Sequence, residues 1–360
     1  MASRRIIIIF LCAVPAALLA FTVSKIGWRS ADADACIDAA RSNSWDTAIE
    51  PCTRAIDSRK LSDKLHALAL EIRGVAYLNR HDTDRAIADL DASIALRPTA
   101  ESFSNRGTAY LRQRHYDYAL GDFDRALQME PNYASAIRNR GATYLARGGA
   151  GFHKDDYANA IKDFERAIGL DPSDASAHAQ LGLALALTDD SDGAIRALGE
   201  AIRLDSNNAS AYVNRALAYA DKGDPESAMQ DVETAITLDP NQANAYNLRA
   251  KLFLAKDEID HMMDDLEEAI RLDPAFAAAY TNRGFGFQLQ GDFDKALSDY
   301  NKAIALQPDY WLAYLHRGDL EHLRSGGGRG DCLEAARLNP KQDGTATLSY
   351  KGRTFFCGSN

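Results

Sequence analysis

The chain has 360 residues, 46% hydrophobic and 26% charged, which suffices for two ordinary domains or one long repeat array. Its formal net charge of -10 argues against a nucleic-acid partner, since binding phosphates calls for a basic footprint. No block of like charges forms a tail.

In chain order, Arg4 and Arg5 come first and then an uncharged, mostly apolar run from Ile6 to Val23, followed by Lys25 and Arg29. The run is long for the core of a secretory signal and just long enough for a membrane helix. Two readings stand side by side for residues 1–30: a signal cleaved near the small residues around Ala33 and Ala35, or an uncleaved N-terminal membrane anchor. Two basic residues on each side leave the orientation unset. Both readings export everything that follows, to a periplasmic or membrane-anchored location outside the cytosol.

From residue 31 a period governs the chain. The phrases IRGVAY (72–77), SNRGTAY (104–110), RNRGATY (138–144), VNRALAY (213–219) and TNRGFGF (281–287) recur. Each precedes a second phrase, such as YALGDFDRALQMEP (118–131) or KALSDYNKAIALQP (295–308). Pro98, Pro131, Pro172, Pro240, Pro274, Pro308 and Pro340 close units of about 34 residues. Apolar residues within a unit recur at three and four, the period of a helix. One helix pair cannot cover its own apolar face, so neighbouring pairs must stack. The pattern of aromatic, Gly, Tyr, Ala, aromatic, Ala and Pro resembles the tetratricopeptide repeat family over residues 31–340. The resemblance implies an all-α fold: a right-handed superhelical solenoid of about nine helix-turn-helix units, the first and last degenerate. A C-terminal tail, 341–360, reads as a short β-hairpin around Lys351-Gly352.

Numbering each unit from Ala67, Ala100, Ala134, Ala175, Ala209, Ala243, Ala277 and Trp311 assigns roles. Position 7 holds Arg73, Arg106, Arg140, Arg215, Arg249, Arg283 and Arg317, and position 23 of the same units holds Asp89, Asp122, Asp163, Asp231, Asp265, Asp299 and Asp331. The fifth unit has Leu181 and Ala197 instead, and the first has Ala35 and Pro51. In a helix hairpin these positions oppose one another, so the arginines read as structural ion pairs and not as ligand contacts. Cys36 and Cys52 fall at positions 8 and 24 of the first unit, where a disulfide can form. Cys332 and Cys357 are then left to pair, tying the tail to the last unit. The alternative is four reduced, buried thiols. An even count fits an oxidising compartment.

By resemblance, positions 2, 5, 6, 9, 12 and 13 of the first helix line a concave face that takes a protein or an extended peptide. The candidate contacts are Asn105, Arg112, Arg138, Asn139, Asn214, Asn247, Lys251 and Asn282, with Glu101, Ser104 and Thr108 beside them. An asparagine at position 6 often holds a peptide backbone in the family; a solvated helix face is the equally plain reading. Leu183, Leu187, Val213 and Leu217 give the face apolar stretches. An insertion at 149–155, between the two helices of the fourth unit, reads either as a functional edge loop or as a Gly-rich spacer.

No phosphate-binding loop, HExxH or CxxC occurs, and the eight histidines are scattered, so no cofactor, metal site or catalytic residue is expected. The expected function is a non-catalytic scaffold for protein interactions in the cell envelope. Two alternatives stay open: a regulatory or accessory subunit of an enzyme or secretion complex, and a small-molecule or glycan-binding module.

Overall fold

A computed structural model describes residues 31–151, 155–338, 346–350 and 353–357. The apolar run at 6–23 and the tip of the insertion, 152–154, lie outside the described residues. Among the described residues the chain forms 18 helices and one two-stranded sheet.

The helices come in nine pairs, a first and a second helix per repeat. In order they are α1 and α2 (Ala31–Arg41, Trp45–Asp57), α3 and α4 (Asp63–Asn79, Thr83–Leu96), and α5 and α6 (Ala100–Arg112, Tyr116–Met129). Next come α7 and α8 (Ala134–Gly149, Asp156–Leu170), α9 and α10 (Ala175–Leu187, Ser191–Leu204), and α11 and α12 (Ala209–Lys222, Pro225–Leu238). The last are α13 and α14 (Ala243–Ala255, Ile259–Leu272), α15 and α16 (Ala277–Gln290, Phe293–Leu306), and α17 and α18 (Trp311–Ser325, Arg329–Leu338). Strands β1 (Ala346–Tyr350) and β2 (Arg353–Cys357) pair antiparallel, with Ala346 opposite Cys357, as the tail pattern leads one to expect.

The chain forms two compact units, one carrying α1–α9 and ending at Thr188, the other running from Asp189 to Asn360. In the first, each helix pair packs on itself and on the next, and the first helices of successive repeats touch: α3 with α5, α5 with α7, α7 with α9. Phe123, Ile137, Leu145 and Phe164 fill its core. In the second unit α11–α13, α13–α15 and α15–α17 touch in the same way, and β1 and β2 lie against α17 and α18.

The turn inside most repeats follows one recipe. Position 15 adopts a left-handed backbone: His81, Arg114, Asp189 and Asp257 at φ between 60° and 65°, and Gly223 and Gly291 at φ of 86° and 80°. The next residue caps the second helix, with Asp82, Asp190, Asp224 and Asp292 each accepting a backbone N–H of the first turn. Position 8 brings the two helices together. A Cβ on Gly284 would lie 2.7 Å from Cε1 of Tyr300 and 3.1 Å from the carbonyl oxygen of Ala296. In the first repeat this position is Cys36, and the opposing residue, where Phe123, Phe164 and Tyr300 stand elsewhere, is Cys52. The two form a disulfide with a Cα separation of 4.8 Å, and both are fully buried.

Seven arginine–aspartate pairs clamp the hairpins. Nε and Nη2 of Arg73, Arg106, Arg140, Arg215, Arg249, Arg283 and Arg317 each donate to the two carboxylate oxygens of the opposing aspartate, at 2.5–2.9 Å. Aromatic rings one turn before and one turn after flank the guanidinium: Tyr246 and Phe253 about Arg249, Tyr280 and Phe287 about Arg283. A planar, delocalised cation suits such a slot, which an ammonium would not fill.

Candidate protein-binding face

With the arginines of position 7 committed to the hairpins, the polar groups left for a ligand are those on the shared face of the first helices. In the unit ending at Thr188 they form a stripe across α3, α5 and α7. Glu71 of α3 is only 8% exposed, and its Oε1 accepts a hydrogen bond from Nδ2 of Asn105 at 3.4 Å. Burial pushes the Glu71 carboxyl well above the usual carboxylate range, and the charge of Glu101 adds to this. Glu101, in the first turn of α5, is raised to about 7, first by burial and then by the charge of Glu130. Burial likewise raises Tyr133, which precedes α7.

Arg138 of α7 is buried and gives Nη1 to Asp174 Oδ2 at 2.5 Å, but its Nε has no hydrogen-bond partner. Arg112 gives Nη1 to the carbonyl of Leu78, and its Nε is likewise buried without an acceptor. Burial lowers the pKa of Arg112. Buried donors of this kind are rare in folded proteins, because each lost hydrogen bond to water must be replaced.

The recurring asparagines turn toward their neighbours. Asn105 reaches Glu71, Asn139 donates Nδ2 to Thr108 Oγ1 at 3.2 Å, and Asn282 donates Nδ2 to Asn247 Oδ1 at 2.7 Å. Each bond ties one first helix to the first helix of the preceding repeat. Asn214 and Asn247 are half-buried and Lys251 is exposed, in the unit that begins at Asp189. Leu183 and Val213 are buried, so neighbour packing accounts for them, while Leu187 and Leu217 are half-buried. Cys332 is disulfide-bonded, and the side chain of Cys357 lies outside the described residues. The base of the 149–155 insertion is closed by Arg147, whose Nε and Nη2 donate to both oxygens of Asp156 at 2.8 Å.

Glu71 was not among the residues singled out by sequence. It stands in the apolar phrase of α3, where residue type draws no attention. Its place at position 5 of the repeat, the same position as Arg138, was the available signal.

Family models described as tetratricopeptide repeat match residues 35–101, 100–133, 209–242, 243–276 and 277–310, and one described as TPR repeat matches 151–189 and 190–223. The chain belongs to the tetratricopeptide repeat (TPR) family. No curated protein matches this TPR chain in sequence. Among solved structures it is similar to a tetratricopeptide repeat protein from Parabacteroides merdae (19% identity, 71% of this chain and 98% of that one, TM-score 0.57). It is also similar to pilF of Pseudomonas aeruginosa (18% identity, 63% and 99%, TM-score 0.53) and to human IFIT1 solved with m7Gppp-AAAA (14% identity, 84% and 76%, TM-score 0.59). At such identities the likeness speaks for the TPR fold and for nothing finer.

Proposed function

We propose that this TPR protein is a non-catalytic adaptor that holds an extended segment of another protein against its first helices, outside the cytosol. The observation that carries the reading is the pair of buried guanidinium Nε–H donors, Arg112 and Arg138, left without acceptors on the first-helix face. Both Nε atoms are covered in the free protein, so each guanidinium must swing outward to meet the carbonyl oxygens that an extended chain presents along its length. Glu101, raised to about 7, lies on the same face and suits a basic side chain of that segment. The contacts we assign are Asn105, Arg112, Arg138 and Asn139 in the first compact unit and, separately, Asn214, Asn247, Lys251 and Asn282 in the second.

Export rests on two supports: the apolar run at 6–23, read as part of a signal or anchor spanning residues 1–30, and the Cys36–Cys52 disulfide. The TPR array then spans 31–340, and the tail 341–360 closes it.

Site-specific photocrosslinking tests the adaptor. A photoreactive residue at Glu101 or Ser135 is expected to capture one discrete protein in living cells, while one at the exposed Arg125 of α6 captures none. Equal capture from both faces overturns the assignment of the face. A phosphatase fused after residue 60 tests export, since it is active only when translocated, and an inactive fusion overturns that part.

A further inference from the structure

We propose that the contact of α17–α18 with α15–α16 is a pH-sensitive latch whose controlling proton is taken up by His316. His316 stands at position 6 of the last repeat, where Asn105, Asn139, Asn214 and Asn282 stand in others. It is 7% exposed, with its ring 5.0 Å from that of Phe285 on α15 and stacked at 5.8 Å on Tyr300 of α16. Its Nδ1 is buried and has no hydrogen-bond partner.

A polar chain runs past the imidazole without including it. The Tyr300 hydroxyl donates to Gln288 Oε1 at 2.7 Å, and Gln288 Nε2 donates to Asp319 Oδ2 at 2.7 Å. Among the described residues Asp319, one turn on from His316, thus meets only a neutral amide, while three other carboxylates on the packed elements are held in ion pairs. Asp299 of α16 is bound by Arg283 of α15, Asp331 of α18 by Arg317 of α17, and Asp294 of α16 by Arg324 of α17. The neutral ring fits this place: a protonated ring would be buried with no carboxylate hydrogen-bonded to it, and the two neighbouring aromatic rings offset only part of that desolvation.

Burial accordingly holds the imidazole down at about 4, against an ordinary value of 6.5. The closed contact therefore binds fewer protons than the open one. The latch is fully closed above the ordinary value, and its opening constant grows about tenfold for each pH unit descended toward the folded value. Opening uncovers the faces of α15 and α16 while β1 and β2, which lie against α17 and α18, stay with the released pair.

Hydrogen exchange on the full chain, corrected for intrinsic rates, tests this at about pH 7 and about pH 5. Opening of α17 amides is expected to rise at least tenfold at the lower pH, with α11–α14 unchanged, and the rise is expected to vanish in His316→Asn. An equal rise in that variant, no rise in the natural protein, or a rise shared by α11–α14 overturns the proposal. Should His316→Asn not fold, the imidazole is titrated by NMR in the natural chain. A value below about 5 supports the latch, and one near the ordinary histidine value overturns it.

Discussion

Arg249 shows what one residue does in this fold. Its Nε and Nη2 meet both oxygens of Asp265, and the rings of Tyr246 and Phe253 flank its guanidinium. Asp265 is buried, so removing the cation leaves a carboxylate without its partner. Arg249→Ala is expected to cost about 3 kcal/mol of stability in denaturant unfolding. A cost under about 0.5 kcal/mol, the scale of a surface pair, sinks the structural reading. The pairing itself was legible without coordinates, because repetition supplies an internal comparison: units have both partners or neither. The direction of the asparagine amides was not. The preceding first helix lies on the side where a partner peptide is expected, and residue type does not distinguish the two. Asn139 illustrates the point, since its acceptor, Thr108, is itself a residue expected on the binding face.

Among elements, the tightest demand falls on the turn between paired helices. Arg114, exposed and with φ of 60°, carries a side chain through a backbone region that favours glycine. Gly223 and Gly291 serve at the same position elsewhere. Arg114→Gly is therefore expected to stabilise the protein by about 0.5 kcal/mol, the relief of strain exceeding the entropy glycine adds to the unfolded chain. Thermal unfolding checks it, and a loss of stability contradicts the account. Gly284→Ala acts oppositely. Its Cβ would press on Tyr300 and on the backbone of Ala296, and a loss of about 2 kcal/mol is expected in the same assay. The helices and their pairing followed from the period and the prolines. The left-handed turn did not show in the sequence, because His, Arg, Asp and Gly alternate at that position and share no side-chain chemistry.

For the whole molecule, the end repeats matter most, since a stacked array loses a neighbour there. The first repeat has no arginine clamp, and the Cys36–Cys52 bond joins its helices instead. Breaking the bond is expected to cost roughly 3 kcal/mol, from the loop of 16 residues' separation that it closes. The loss should be confined to α1 and α2, which hydrogen exchange with and without a reductant resolves. Unchanged protection of both helices on complete reduction shows that the bond carries nothing.

The clamps have one further property. Beyond its own aspartate, Arg106 reaches Asp91, Arg140 reaches Asp124, Arg147 reaches Asp117 and Arg317 reaches Asn301, each in the preceding repeat. These contacts give the array a grain. Whole repeats trimmed from the C-terminal end leave these four guanidinium groups with their acceptors. Trimming from the N-terminal end up to any one of the four strands that arginine with a bare nitrogen. The same grain matches the order of synthesis: each of these four arginines emerges from the ribosome when the acceptor behind it is already made.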